Sequence, residues 1–137
     1  MGEGLTTLAL VALGGALGSV ARVLVAQAVT SGLGDSFPWG TLVVNVSGAL
    51  LIGALLPLLA GFEGVVVSGS GSPGVALLVV GLVGSYTTVS SFSLQTFALM
   101  EEGAWRAAIG NVLGSVVLCL AAVFVASKAV STLMGVA

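Results

Sequence analysis

Four long apolar runs, separated by isolated charges, organise this chain. No charged residue occurs between Glu3 and Arg22, Asp35 and Glu63, Glu63 and Glu101, or Arg106 and Lys128. Each run is long enough to form a helix of about 20 residues across a roughly 30 Å hydrocarbon core. The pattern predicts spans near 5–30, 38–60, 75–100 and 104–130. The links between them are short. Residues 31–37 are turn-rich, and Pro38 suits the first turn of the next helix. Residues 61–74 form the longest link, rich in Gly and Ser, and Glu101-Glu102-Gly103 makes a tight turn into the last span. The first run differs from a signal peptide because Glu3 stands where such a peptide carries Lys or Arg. Residues 1–137 are expected to form a single four-helix transmembrane domain.

Composition supports the same class. Of 137 residues, 58% are hydrophobic and 6% charged, with mean hydropathy +1.25. Soluble domains carry about 25% charged residues. Three basic and five acidic residues cannot solvate a globular surface, so membrane lipid is the expected surroundings. A net charge of −2 gives no basis for a nucleic-acid partner. The chain has no His and one Cys, Cys119 in an apolar run, which leaves neither a disulfide framework nor a metal cluster. No nucleophile–base arrangement or buried carboxylate pair is recognisable, so an enzyme is not expected.

Polar residues at membrane depth are the candidates for function. Six hydroxyl side chains and Tyr86 crowd into Gly84-Ser-Tyr-Thr-Thr-Val-Ser-Ser-Phe-Ser93. Hydrocarbon has no water to bond them, so they must face protein or a wet path. Gly81 and Gly84 precede the hydroxyl groups, and a helix break is expected there, with unwound carbonyls suited to a cation. In the second run Thr41, Asn45 and Gly48 share one helical face. In the fourth, Asn111, Ser115 and Cys119 recur at intervals of four, as either an interhelical hydrogen-bond seam or an anion track. A lone intramembrane Asn is also accounted for by bonding a neighbouring helix, for roughly 0.6–2 kcal/mol. Arg22 lies well inside the first span, as an anchor or as an anion attractor. Phe92 could offer a positive ring edge, although most such rings only pack.

Small residues mark the expected helix contacts: Gly14 and Gly18 in the first run, Gly48 and Gly53 in the second, Gly110 and Gly114 in the fourth. Orientation is weakly encoded. Lys128 lies on one side, with Arg106 and Arg22 towards the other. Such balance permits insertion both ways, and four short helices enclose little space. A path between two subunits, hence a dimer, is expected.

Together these segments resemble the Fluc/CrcB family of fluoride channels over nearly the whole chain. The matching pieces are Gly14-Gly-Ala-Leu-Gly-Ser-Val-Ala-Arg22, Gly40-Thr-Leu-Val-Val-Asn-Val-Ser-Gly48, the stretch 84–93 and Asn111. The resemblance implies an all-α membrane protein of four transmembrane helices, the third broken near its middle. It implies a multi-pass protein of the inner (plasma) membrane, an antiparallel dual-topology dimer with two pores, and passive efflux of fluoride from the cytoplasm. It also implies a structural Na+ held by backbone carbonyls, which map to Gly84 and Thr87. Asn45 matches the pore asparagine, Ser90, Ser91 and Phe92 match positions of the third-helix motif, and Arg22 matches the first-helix arginine.

The expected anion pathway therefore comprises Arg22, Thr41, Asn45, Thr88, Ser90, Ser91, Phe92, Asn111 and Ser115, entered through a weakly basic mouth. Two positions depart from the family pattern. Val89 stands where the motif has its first phenylalanine, and Gln95 where an acidic residue is usual. Val89 opens alternatives to a homodimer: a reduced aromatic box, a heterodimer with a complementary subunit, or impaired conduction. The main rival is a small dual-topology multidrug exporter. It needs an intramembrane carboxylate, whereas Glu3, Asp35, Glu63, Glu101 and Glu102 all fall at predicted ends and loops. A structural subunit of a larger complex would explain the glycines but not the hydroxyl groups.

Overall fold

A computed structural model of the chain describes residues 2–60 and 73–135. The described residues form helix α1 (Gly2–Leu33), α2 (Trp39–Ala60), a π-helical segment (Val75–Val83), the single turn α3 (Gly84–Tyr86), α4 (Val89–Glu101) and α5 (Trp105–Met134). Four stretches are long and apolar enough to cross a membrane: Gly2–Leu33, Trp39–Leu59, Val75–Glu101 and Trp105–Met134, with mean hydropathies of 1.7 to 2.4. The protein is an all-helical, multi-pass membrane protein whose third span is broken, as the sequence predicts. The first helix runs beyond the expected 5–30 at both ends, and the last runs past 130, each continuing to a left-handed glycine, Gly34 and Gly135. Of the Gly- and Ser-rich link expected at 61–74, residues 61–72, Glu63 included, lie outside the described residues.

The described links end helices by backbone chemistry. Gly34, at φ 82°, closes α1 and donates its N–H to the Thr30 carbonyl at 2.8 Å. Gly103, at φ 76°, closes α4 in the left-handed conformation that glycine adopts without steric penalty. Around it the Ala104 N–H reaches back to Leu99 O at 2.8 Å and the Glu102 N–H to Ala98 O at 3.0 Å. Pro38 was expected inside the first turn of the second helix. It stands one residue before α2, and its carbonyl accepts from the Leu42 N–H at 3.1 Å.

Glycine sets how the spans meet. α1 lies against the π-helical segment along Gly14 and Gly18. A methyl group on Gly18 would overlap the Leu82 carbonyl and the Ser85 hydroxyl, and one on Gly14 would overlap the Leu77 carbonyl. From the facing side, a methyl on Gly81 would lie 2.8 Å from Val11 O. Backbones that approach this closely allow a hydrogen bond between spans, and Ser85 Oγ donates to Gly15 O at 2.9 Å. α2 packs along α5, with Gly53 closed against Val123. Gly110 and Gly114, expected at a helix contact, meet nothing within 4 Å. Among the described residues they flank the face of α5 that carries the buried Ala108, Asn111, Ser115 and Ala122.

The break redirects the third span. Its first arm contacts α1 and α2, whereas α4 contacts α5 and, more lightly, α2. The crossing point lies against α2, where Gly48 leaves room for Thr87. Large apolar side chains such as Leu8, Leu94, Leu120 and Phe124 are exposed along the outside, as lipid contact requires. A Gly18→Ala variant should therefore lose roughly 1–3 kcal/mol or more through overpacking against backbone. Gly15→Ala, with nothing within 4 Å of the new methyl, should leave stability unchanged. Thermal unfolding followed by size-exclusion chromatography in detergent checks the contrast.

Candidate functional site

The break is built from two extended residues. Thr87 has φ −75°, ψ 158°, and Thr88 has φ −149°, ψ 121°. The helical ladder ends with Thr87 N–H donating to Val83 O at 3.1 Å. Helix α4 then restarts with Thr88 as its N-cap, its Oγ1 accepting from the Ser91 N–H at 3.1 Å. The Thr88 hydroxyl also donates to Ser91 Oγ at 3.1 Å and lies 3.1 Å from Ser90 Oγ. Of the hydroxyl groups predicted to need partners, Thr88, Ser90 and Ser91 thus bond one another at the start of α4, whereas Ser85 and Thr87 donate to backbone carbonyls.

Asn45 meets the break from α2. Its Oδ1 accepts from the Thr88 N–H at 2.8 Å, and its Nδ2 donates to the Thr88 carbonyl at 2.9 Å. The second Nδ2 hydrogen is left over from this pair. One turn on, Gly48 packs against the Thr87 methyl. Ser47, between them, bonds the buried Tyr86 hydroxyl at 2.8 Å. Thr41, the third residue of the predicted face, is buried further along the helix. The shared face predicted for Thr41, Asn45 and Gly48 is thus the face α2 turns to the other helices, and Asn45 and Gly48 meet the break itself.

A groove of about 390 Å³ opens beside the break. Its polar edge is Asn45, Gly84, Thr87, Thr88, Ser115 and Cys119, and its apolar walls include Ile52, Val79, Val83, Val116 and Val123. Phe92 and Val89 also line it. Phe92 is half-buried, whereas Val89 is 77% exposed, so the side chain at this position projects out from the chain. Ser115 is buried, and its Oγ has no hydrogen-bond partner among the described residues.

The other predicted residues lie elsewhere. Asn111, 1% exposed, is not at the groove. Its Nδ2 donates to Thr96 Oγ1 at 2.8 Å, and Thr96 donates to Phe92 O at 2.7 Å. The stripe predicted on the fourth span therefore divides: Asn111 ties α5 to α4, while Ser115 and Cys119 line the groove. Sequence reasoning missed Thr96, although an apolar run offers few other partners for a buried amide. Arg22 is half-buried on α1 and does not line the groove, nor do Ser90 and Ser91. A second cleft of about 240 Å³, between the end of α1, the start of α2 and the end of α4, includes Asp35, Glu102 and Gln95. Its charged lining is acidic. The Gln95 Oε1 is buried without a partner among the described residues.

These features define a small multi-pass helical membrane protein with polar groups gathered at the break of a discontinuous span. The chain matches, over residues 9–127, the family described as CrcB-like protein, Camphor Resistance (CrcB), and it belongs to that family. A protein of Opitutus terrae named fluoride-specific ion channel FluC is 49% identical over 83% of this chain and 84% of its own length. Proteins of the same name from Magnetococcus marinus and Rhodospirillum rubrum are 44% and 46% identical. Those matches cover 85% and 83% of this chain, and 91% and 86% of the relatives. The relatives are named as channels, not enzymes.

The Asn111–Thr96 bond gives a test of the tether. Asn111→Ala and Thr96→Val should each destabilise the protein. Their double variant should lose less than the summed losses, revealing a coupling of about 0.6–2 kcal/mol. Unfolding of the four proteins in detergent measures it.

Proposed function

We propose that this chain is a fluoride-selective channel that lets fluoride leave the cytoplasm passively across the plasma membrane. The observation that carries the reading is the groove. It opens on the outer face of an apolar bundle, with a mostly apolar lining bordered by the half-buried Asn45 and Thr87 and by the Gly84 backbone. A second copy seated on that face would remove the groove from lipid and enclose a path. The fluoride-specific relatives, at 44–49% identity, supply the ion. An antiparallel dimer of identical chains, with two pores, accords with the weak charge bias of the sequence.

Donors at the groove suit a small, strongly hydrated anion. The remaining Asn45 N–H, the unpartnered Ser115 hydroxyl and the weakly donating Cys119 thiol can replace water around it. Phe92 adds a positive ring edge without a formal charge. A larger anion gains less from such compact donors and is disfavoured. Thr88, Ser90 and Ser91 support this wall through their mutual hydrogen bonds. Arg22, Thr41 and Asn111 contribute through helix packing or field rather than at the groove.

A structural Na+ fits the break. A continuous helix would give the Thr88 N–H to the Gly84 carbonyl and the Ser91 N–H to the Thr87 carbonyl. Here those donors go to Asn45 Oδ1 and Thr88 Oγ1. Gly84 and Thr87 would hold the ion through neutral oxygens, the ligand type that hard cations prefer. When bound, the ion supplies a fixed positive charge between the two arms of the span.

Val89 favours a second reading, a heterodimer. An exposed aliphatic side chain at the groove offers no ring edge, and a complementary subunit could supply one. The exporter alternative lacks its carboxylate: Glu3, Asp35, Glu101 and Glu102 all lie at helix ends or links among the described residues. Liposomes holding the chain alone should release fluoride about tenfold or more faster than chloride, a barrier difference of at least about 1.4 kcal/mol. Equal rates would reject fluoride selectivity. Dimers that pass no fluoride until Val89→Phe is introduced would favour the heterodimer.

A further inference from the structure

We infer that Asn45 is the positioning residue that keeps the third span broken and its carbonyls available to a cation. This inference rests on the cation reading above. The side-chain amide of Asn45 has the shape of a peptide group, and it pairs with Thr88 as one strand residue pairs with another: oxygen to N–H at 2.8 Å, nitrogen to carbonyl at 2.9 Å. Only one orientation of the amide satisfies both partners, so the pair is self-orienting.

Helix propensity does not account for the break. Thr87 and Thr88 are followed at once by α4 and preceded by nine π-helical residues and one α-turn, and no proline interrupts residues 74–137. What prevents the ladder from running through is that its donors are taken. The Thr88 N–H would return to the Gly84 carbonyl if Asn45 released it, and the Thr88 carbonyl would then look for a donor further along the helix. Leaving these groups unbonded in an apolar surrounding is unfavourable, so loss of Asn45 drives the span towards healing. The N-cap made by Thr88 Oγ1 is a second, weaker part of the same device, because it diverts the Ser91 N–H from the Thr87 carbonyl. Asn45 also lines the groove. One amide therefore sets both the cation carbonyls and the anion-facing wall, and a change at Asn45 affects the two together.

The test compares the purified wild type and Asn45→Ala in detergent, with Na+ titrated against N-methylglucamine and unfolding temperature as the readout. Na+ is expected to raise the midpoint of the wild type. In Asn45→Ala that rise should vanish, or need about tenfold more Na+, corresponding to about 1.4 kcal/mol. An Asn45→Ala protein with a wild-type Na+ titration overturns the inference and leaves the cation reading standing. A wild type indifferent to Na+ overturns the cation reading itself, and the inference with it. Should Asn45→Ala fail to fold, Asn45→Leu carries the same comparison, since it keeps the shape of the side chain and removes both bonds to the Thr88 backbone. It should weaken the Na+ response several-fold, and an unchanged response counts against the inference.

Discussion

A span that leaves the helical conformation inside a membrane must find protein partners for the backbone groups it releases. At Thr88 both groups of one residue are released, and both are taken by the amide of Asn45. Much else in the chain follows from that pairing. α2 must lie close enough to the break for a short side chain to reach the backbone, which is why Gly48 stands one turn beyond Asn45, against Thr87. The Ser47–Tyr86 bond fastens the same helix to the turn just before the break.

The direction change at the break also explains how five helices and a π-helical segment share contacts. The first arm of the third span runs with α1, closely enough that Gly14, Gly18 and Gly81 face one another's backbone. The second arm runs with α5, held by Asn111 and Thr96. A straight third helix could not meet both. The break is thus an architectural element, and the groove opens where the two arms diverge. Groove and break share Asn45, Gly84, Thr87 and Thr88. The shape of the groove therefore cannot be separated from the hydrogen bonding that shapes the span.

Much of this was legible in the sequence. Charge spacing located four spans, because a hydrocarbon core tolerates few charges whatever the fold. The hydroxyl-rich stretch marked the break, because hydrocarbon leaves such groups no other choice than mutual bonding or a wet path. The shared face of Asn45 and Gly48 was visible as helical periodicity. Less legible were the partners. Asn111 and Ser115 lie on one stripe, yet one is a buried tether and the other lines the groove. Periodicity gives the side of a helix but not what stands opposite. The nine-residue π-helical run had no signature in an aliphatic stretch that would suit an α-helix as well.

The sequence by itself determined the class and the number of spans, because these follow from transfer of charged groups into hydrocarbon, and its hydroxyl-rich stretch marked where the third is broken. Membership of the CrcB family was readable in the order and spacing of short motifs. Only the tertiary structure decided that Asn45 holds the Thr88 backbone and that Gly110 and Gly114 make no close helix contact among the described residues. It alone decided that Val89 projects from the chain at the edge of the groove. Each of those depends on distances of a few ångströms between segments far apart in the chain, and hydrophobic pattern does not carry that information.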